Sequence, residues 1–138
     1  MTAELRLTLQ SRLSSLKDLQ ESLDRFGDEQ DWPANLRFQL RLALEELATN
    51  VINHGFGEEG HEFEIEISSS PDKVIVNVID GARPFNPLEA PPAPNVEAPL
   101  DERPIGGLGV FLVRKISDEM FYRRTQGKNH LTIVKLRN

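Results

Sequence analysis

Residues 61–80 read HEFEIEISSSPDKVIVNVID, and this stretch decides the fold. In its first half apolar residues alternate with glutamates, and in its second half valines alternate with other residues as far as Asp80. This two-residue period predicts two strands, each with one apolar face and one face in water. The link between them, Ser-Ser-Ser-Pro-Asp at residues 68–72, is so short that we expect the strands to pair antiparallel.

The rest of the chain supplies further strands and the helices that cover them. Gly27 is expected to end the first helix, and Pro33 suits the first turn of the second. The predicted order is strand, helix, helix, strand, strand, long loop, helix, strand and strand, at about residues 5–9, 13–26, 33–54, 61–67, 74–80, 81–105, 110–116, 117–125 and 129–137. Strands in which apolar and polar residues alternate give a sheet with one apolar face, and only that face has to be covered by helices. We therefore predict an α+β fold, a two-layer sandwich with a mixed, mainly antiparallel sheet and three helices on one face.

Length, composition and charge narrow the possible classes of protein. The 138 residues suit one domain, residues 1–138, with a globular balance of 38% hydrophobic and 28% charged residues. The net charge of −6 argues against nucleic acid as a partner, because nucleic acid requires a basic surface. There are no cysteines, which excludes disulfides and a cysteine nucleophile and is compatible with the cytoplasm. We expect no membrane segment and no signal peptide.

Residues 81–105 differ in composition from the segments around them. They contain seven of the nine prolines, which argues against a regular strand or helix. A loop of this length inside a compact domain is usually functional or disordered. We interpret it as a cover over a site, because what remains of the chain is too short for a second domain.

The second helix carries three polar residues, Glu46, Asn50 and Asn53. At 100° per residue they fall within a sector of about 60° that borders the apolar stripe, so we expect them half sheltered at the rim of the core. An Asn oxygen suits a hydrated Mg²⁺ that also holds phosphates, and a Glu can accept a proton from an attacking hydroxyl. Polar residues beside an apolar stripe are also common where no site exists.

Two further features have a functional and a structural interpretation. Asp80 can accept a hydrogen bond from an exocyclic amine such as that of adenine, or it can simply start a turn with Gly81. The glycines of residues 105–110, Ile-Gly-Gly-Leu-Gly-Val, lead into a helix whose first free N–H groups favour phosphate, or they form a hinge for the loop. Together, a metal ligand with a base, an amine acceptor and a phosphate cradle are what ATP requires.

With these features the sequence resembles the GHKL ATP-binding superfamily, which includes gyrase, histidine kinases and a mismatch-repair protein. It is most similar to the anti-sigma factor serine/threonine kinases, stand-alone bacterial regulators of partner-switching pathways. The resemblance extends from about Leu5 to Leu136. Its motifs are Glu46-Leu-Ala-Thr-Asn50 with Asn53-His54-Gly55, Asp80 with Arg83-Pro-Phe-Asn-Pro87, and Gly106-Gly107-Leu108-Gly109.

The resemblance implies a Bergerat fold, ATP and Mg²⁺ as cofactors, and an ATP lid at about residues 82–105. It implies Glu46 as the catalytic base, Asn50 as the metal ligand, Asp80 as the adenine acceptor and Thr132 as a residue near the adenine. The cofactor-binding residues that it implies are Asn50, Asn53, Asp80, Gly81, Phe85, Gly106, Gly107, Leu108, Gly109, Val110 and Thr132.

The resemblance also implies an activity and partners. The protein would transfer the γ-phosphoryl group of ATP to a Ser or Thr of a small anti-sigma antagonist protein, with a sigma factor as a further candidate partner. Members of the family are commonly homodimers, and the only feature of this sequence that suggests an interface is the alternating leucines of residues 5–9, on a possible edge strand.

One departure from the family pattern favours an alternative function. The family usually has Asp-x-Gly, whereas this chain has Asp80-Gly81-Ala82. The Ala82 methyl group is expected to weaken ATP binding or to displace the loop. The alternative is a non-catalytic module that binds protein in a nucleotide-dependent manner, and a scaffold that binds no nucleotide is a third option.

Overall fold

The two strands predicted over residues 61–80 form the middle of the protein's sheet. The computed structural model describes residues 2–56, 60–86, 88 and 107–137, and within these ranges it contains five strands and three α-helices. In chain order these are β1 (Ala3–Gln10), α1 (Ser15–Glu29), α2 (Ala34–Asn50), β2 (Glu62–Ser69), β3 (Lys73–Asp80), α3 (Gly107–Ile116), β4 (Glu119–Thr125) and β5 (Lys128–Leu136). None of these helices is long and apolar enough to cross a lipid bilayer. The predicted order of elements and the α+β class are confirmed.

The sheet has the strand order β1-β2-β3-β5-β4. All pairings between the described strands are antiparallel, so the sheet is more uniform than the mainly antiparallel one expected. The last two strands are joined by Gln126 and Gly127, with φ of 52° and 73°. Positive φ at both central residues is typical of a type I′ turn, whose twist matches that of the strands it connects. This turn fixes the register of β4 on β5, with Thr125 opposite Lys128.

Alternate residues of each strand face the three helices and form the core. On β3 these are Val74, Val76, Val78 and Asp80, and on β5 they are Asn129, Leu131 and Ile133, all buried. The helices contribute Leu19, Leu23, Leu40, Leu44 and Val113, which are almost fully buried. Each large apolar side chain buried in this way contributes about 1.5–3 kcal/mol. Because the apolar residues of β1 also face this core, the leucines of residues 5–9 are not available to form an interface.

The junction between the first two helices differs from the expectation. Gly27 does not end α1, which continues to Glu29. A Cβ atom at Gly27 would lie 3.0 Å from Arg37 Nε and 3.2 Å from Trp32 Cε3, so the glycine allows close packing of this corner. Pro33 precedes α2 as its N-cap residue and does not lie in its first turn.

A π-helical segment, Val51–Phe56, continues directly from α2. Its wider turns have i→i+5 hydrogen bonds, and such segments occur frequently at functional sites. Gly55 therefore lies inside a helical segment, and Gly57, expected to help end the helix, lies outside the described residues. The change of helix type also means that 100° per residue no longer applies beyond Asn50.

The face of the sheet opposite the helices, which we name the outer face, has an uneven distribution of charge. Its β1 and β2 half is mainly acidic, with Glu4, Glu62, Glu64 and Glu66, and Arg6 pairs with Glu66 at 3.2 Å. Its β5 and β4 half carries Arg123, Lys128 and His130, one glutamate, Glu119, and the half-exposed aromatic ring of Phe121. The outer face is therefore strongly negative along one edge of the sheet and mainly basic, with one acidic residue, along the other.

Candidate functional site

Asp80 is the last residue of β3, and its carboxylate lies on the face that the helices cover. The residue is only 8% exposed. Its Oδ1 accepts hydrogen bonds from the Ala82 backbone N–H at 3.1 Å and from Asn129 Nδ2 at 2.9 Å. Both bonds go to Oδ1, so among the described residues Oδ2 has no hydrogen-bond donor.

The surroundings of Asp80 act on its charge in opposite directions. Burial raises the pKa of the Asp80 carboxyl above its ordinary value. The hydrogen bonds from Asn129 and Ala82 and the positive charge of Arg124 oppose this effect and favour the ionised form. The ionised carboxylate is a hydrogen-bond acceptor only, which suits a ligand amine.

Asn129, which the sequence analysis did not single out, lies directly opposite Asp80 on β5. It is 5% exposed, and it shares its face of the strand with Leu131 and Ile133. The signal was present in the sequence, because the alternation of Leu131 and Ile133 places residue 129 on the buried side. A buried Asn at the end of an apolar strand face requires polar partners, and Asp80 is one of them.

The first residues after β3 are anchored to β4 and β5. Arg124 donates from Nη1 to the Ala82 carbonyl oxygen at 2.6 Å. The Asn129 amide donates to the Arg83 carbonyl oxygen at 2.9 Å and accepts from the Phe85 N–H at 3.3 Å. The predicted cover thus begins as a segment held against the sheet, while residues 87 and 89–106 lie outside the described residues.

The polar residues of the second helix are not equivalent in the structure. Glu46 and Asn50 are half-buried, as expected for the rim of the core, whereas Asn53 is exposed. The difference arises because Asn53 lies in the π-helical segment, where the assumed angular spacing fails. Of the two adjacent glutamates, Glu45 is occupied by Arg41 at 3.0 Å and Gln20 at 2.7 Å.

The Nδ2 atom of Asn50 is buried and has no hydrogen-bond partner among the described residues. A buried polar atom without a partner is rare in native proteins and indicates a missing ligand, ion or water. The neutral amide oxygen is of the type that hydrated Mg²⁺ uses alongside phosphate oxygens. The amide oxygen of Asn50 is therefore of the right type for the magnesium site implied by the resemblance, and the unpaired Nδ2 can donate to a water or a phosphate oxygen.

The glycine-rich segment lies in the first turn of α3. Gly107, Leu108 and Gly109 belong to this turn, while Gly106 lies outside the described residues. Val110 is 1% exposed and anchors the helix start in the protein interior. The first N–H groups of an α-helix have no partner within the helix and favour an anion. The helix α3 packs against α2, the helix that carries Asn50.

Comparison with known proteins decides the family. The histidine kinase-like ATPase domain matches residues 9–135. The chain belongs to this ATPase family. Among similar proteins, the serine/threonine-protein kinase BtrW of Bordetella bronchiseptica is 31% identical over 105 residues, 75% of this chain and 72% of that protein. The serine-protein kinase RsbW of Bacillus mycoides is 25% identical over 91 residues, 64% of this chain and 57% of that protein. A Bacillus cereus RsbW has the same identity and coverage.

Thr132 does not join the other predicted site residues of this ATPase domain. It lies opposite Asn77 on the outer face, and its hydroxyl donates to Asn77 Oδ1 at 2.5 Å. Asp80 is on the helix-covered face, so the sheet separates the two side chains. The structure thus places the Thr132 side chain on the face opposite to that of Asp80, and Asn129 is the β5 residue that faces Asp80.

The residues after Asp80 in the ATPase domain also differ from the expectation. Gly81 is exposed, and a Cβ atom there would meet no described protein atom within 4 Å. Ala82 is 5% exposed, and both of its backbone polar groups are hydrogen-bonded. The Ala82 methyl group is therefore accommodated inside the protein. Phe85, 45% exposed, remains available to contact a ligand.

Proposed function

We propose that this protein is an ATP-dependent serine/threonine kinase that acts on a small anti-sigma antagonist protein in the cytoplasm of a bacterium, and that it regulates a partner-switching pathway. The observation that carries the proposal is the Glu46–Asn50 pair, in which the buried Nδ2 atom of Asn50 has no partner among the described residues. The similarity to proteins named serine/threonine and serine kinases supports the same activity.

In the proposed mechanism each group has one role. Asp80 accepts the adenine amino group at its free oxygen, and the N–H groups of Gly107, Leu108 and Gly109 bind phosphate oxygens. Asn50 would hold Mg²⁺, which supplies neutralising charge to the phosphates. Glu46 orients the substrate hydroxyl and accepts its proton as the hydroxyl oxygen bonds to the γ-phosphorus. The bond from that phosphorus to the β,γ-bridging oxygen breaks, and ADP leaves.

The experiment that tests this proposal is phosphotransfer from labelled ATP. The protein is incubated with candidate antagonist proteins, and the Glu46→Gln variant is compared with Glu45→Gln. General-base catalysis contributes about 10²–10⁴-fold, so we expect Glu46→Gln to lose at least about 10²-fold in rate. Glu45 is engaged by Arg41 and Gln20, so its variant is a matched control that retains the rate. Equal transfer by the wild type and Glu46→Gln would refute the assigned role.

The second candidate is the non-catalytic module that binds a protein in response to nucleotide. It is supported by the hydrogen bonds that hold Asp80 in place, because they involve no catalytic group. It predicts that Mg-ATP raises the melting temperature by mass action and that no phosphate is transferred to any captured partner. Phosphotransfer that depends on Glu46 would exclude this candidate.

We also propose that the protein forms a homodimer through the outer face. A two-fold axis parallel to β3 would place the acidic β1 and β2 half of one copy over the basic half of the other. Glu64 and His130 lie in the same row of the sheet on either side of Ile79, so this axis would bring Glu64 opposite the second copy's equivalent of His130. Charge complementarity supports this arrangement.

The dimer proposal is tested by charge reversal and molar mass. We expect Glu64→Lys to shift the protein toward a monomer in sedimentation equilibrium, and we expect Glu64→Lys combined with His130→Glu to restore the dimer. Glu21→Lys, on the exposed side of α1, is the control and leaves the mass unchanged. A dimer that is equally stable in all three variants would place the interface elsewhere.

A further inference from the structure

The amide of Asn129 uses its entire hydrogen-bonding capacity. Nδ2 donates to Asp80 Oδ1 and to the Arg83 carbonyl oxygen, both at 2.9 Å. Oδ1 accepts from the Tyr122 hydroxyl at 2.5 Å and from the Phe85 backbone N–H at 3.3 Å. An Asn amide has two donor hydrogens and two acceptor sites, so no capacity remains for a ligand.

The two backbone partners fix which way this amide points. A carbonyl oxygen such as that of Arg83 can only accept, and an N–H such as that of Phe85 can only donate. Rotating the amide by 180° would therefore set oxygen against oxygen and N–H against N–H. The Nδ2 group must face Asp80, and Asp80 Oδ1 always meets a donor.

We propose that Asn129 is a positioning residue that keeps Asp80 as a hydrogen-bond acceptor and so makes the site select a 6-amino purine over a 6-oxo purine. The inference rests on the proposed function, in which Asp80 receives the base. A carboxylate that only accepts can bind an exocyclic amine, whereas the oxygen of a 6-oxo purine requires a donor. Asn129 acts through Asp80 and does not touch the nucleotide.

The opposing effects on the Asp80 charge show why an additional residue is needed. Burial raises the pKa of the Asp80 carboxyl, and a protonated carboxyl would donate to a 6-oxo group. The N–H of Asn129 favours the ionised form and opposes this. Without Asn129, Asp80 takes up a proton at a higher pH, and discrimination between the two purines decreases.

A purely structural role for Asn129 gives a different result. The residue also holds the backbone at Arg83 and Phe85, so its loss would loosen the start of the predicted cover. Loosening weakens the binding of every purine triphosphate by the same factor. Only the selectivity role changes the ratio of the affinities for two triphosphates that differ at position 6.

The experiment measures dissociation constants for ATP and inosine triphosphate by calorimetry at pH 8 and pH 6. A hydrogen bond to a charged group corresponds to about a tenfold change in an equilibrium constant, so we expect Asn129→Ala to lower the preference for ATP about tenfold. We further expect its ATP affinity to fall more steeply than that of the wild type as the pH is lowered from 8 to 6. Tyr122→Phe is the matched control, because it removes a bond to the same amide on the Oδ1 side and leaves the preference within about twofold.

A second variant tests the same inference in case Asn129→Ala does not fold. Asn129→Asp is nearly isosteric, but it sets a carboxylate against Asp80, and two adjacent carboxylates cannot both ionise readily. We expect it to lose the preference for ATP as well. If the wild type prefers ATP and both variants keep that preference, the inference is refuted and the proposed function stands. If the wild type binds neither triphosphate, both are refuted.

Discussion

Two pairs of polar residues at the edge of the protein core differ in how many of their hydrogen-bonding groups have partners within the protein. Asp80 and Asn129, at the end of the sheet, are joined to each other and to the backbone by several hydrogen bonds. Asn50, on the rim of α2 beside Glu46, has a buried amide nitrogen without a described partner. The amide of Asn129 is fully paired without a ligand, whereas the amide nitrogen of Asn50 is not.

The difference corresponds to two tasks. A group that recognises a base has to present a fixed pattern of donors and acceptors, so its own partners hold it in place before the ligand arrives. A group that holds phosphate and metal has to remain free to bind them. An unpaired buried amide lowers stability, and such costs are retained at sites where function requires them. The hydrogen bonds of Asn129 should therefore stabilise the fold, and Asn50 should not.

The largest effect on stability is expected at the sheet end. Asn129→Ala removes partners from Asp80, the Arg83 carbonyl, the Phe85 N–H and the Tyr122 hydroxyl. Since each buried group left unpaired costs about 1–3 kcal/mol, with partial relief from water, we expect a loss of about 2–4 kcal/mol in the free energy of unfolding. Urea denaturation measures it, with Tyr122→Phe as a control that removes one bond only. A loss below about 1 kcal/mol would mean that the hydrogen bonds of Asn129 do not stabilise the fold as proposed.

At Asn50, on the rim of α2, we expect a substitution to raise the stability of the protein. Asn50→Leu replaces the unpaired amide by an apolar group of similar size, and we expect a gain of about 1 kcal/mol in the free energy of unfolding. The same variant should lose the stabilisation that Mg-ATP gives the wild type. Asn53→Leu, at an exposed position, is the control for stability. If Asn50→Leu is less stable than the wild type and is still stabilised by Mg-ATP, Asn50 does not bind Mg-ATP. The proposed difference between Asn50 and the pair Asp80 and Asn129 would then be refuted.

The fold could be predicted from the sequence because its signals are local. The alternation in β2 and β3 and the short link between them determine a hairpin with one buried face, whatever the rest of the chain does. The prediction that Gly27 ends the first helix is wrong because the role of this glycine depends on residues distant in the sequence. A glycine near the end of a periodic segment usually stops a helix, but here Arg37 and Trp32, from a later part of the chain, are the neighbours that require it.

The site was predictable only where its residues are set by one element. The approximate placement of Glu46 and Asn50 follows from the period of α2, and it fails at Asn53 where the helix becomes π-helical. The partner of Asp80 depends on the register between β3 and β5, and the two residues are 49 positions apart in sequence. The strand's alternation alone, with Leu131 buried, already places Thr132 on the outer face. The alternation and the family resemblance therefore lead to different expectations for Thr132.

The effect of burial on the charge of Asp80 can be tested by measuring stability as a function of pH. Burial raises the folded-state pKa of this carboxyl, so as the pH rises the unfolded chain loses its proton first and stability falls between the two pKa values. Ionised Asp80 therefore lowers stability at neutral pH. We expect Asp80→Asn to be more stable than the wild type at pH 7, with a difference that shrinks toward pH 4, as followed by urea denaturation at each pH.

The exposed Asp72 is the control for this pH experiment, because its shift has the opposite sign. A hydrogen bond from Ser70 lowers the pKa of the Asp72 carboxyl, so its contribution is favourable above the ordinary Asp value and is lost as the pH falls. We therefore expect Asp72→Asn to be slightly less stable than the wild type at pH 7 and equal to it in acid. If both variants change in the same direction, the shift at Asp80 does not arise from burial.

The smallest effect is expected at Thr132, where the family resemblance and the structure disagree. The resemblance places this residue near the adenine, whereas its hydroxyl donates to Asn77 on the outer face. Thr132→Val should therefore cost about 1 kcal/mol of stability, the usual contribution of one hydrogen bond, and leave the ATP dissociation constant within about twofold. Asn77→Ala, which removes the other partner of that bond, should behave in the same way. A tenfold weaker affinity for ATP in Thr132→Val alone would mean that the nucleotide reaches the outer face, and Asn129 would no longer be the residue of β5 that matters for the base.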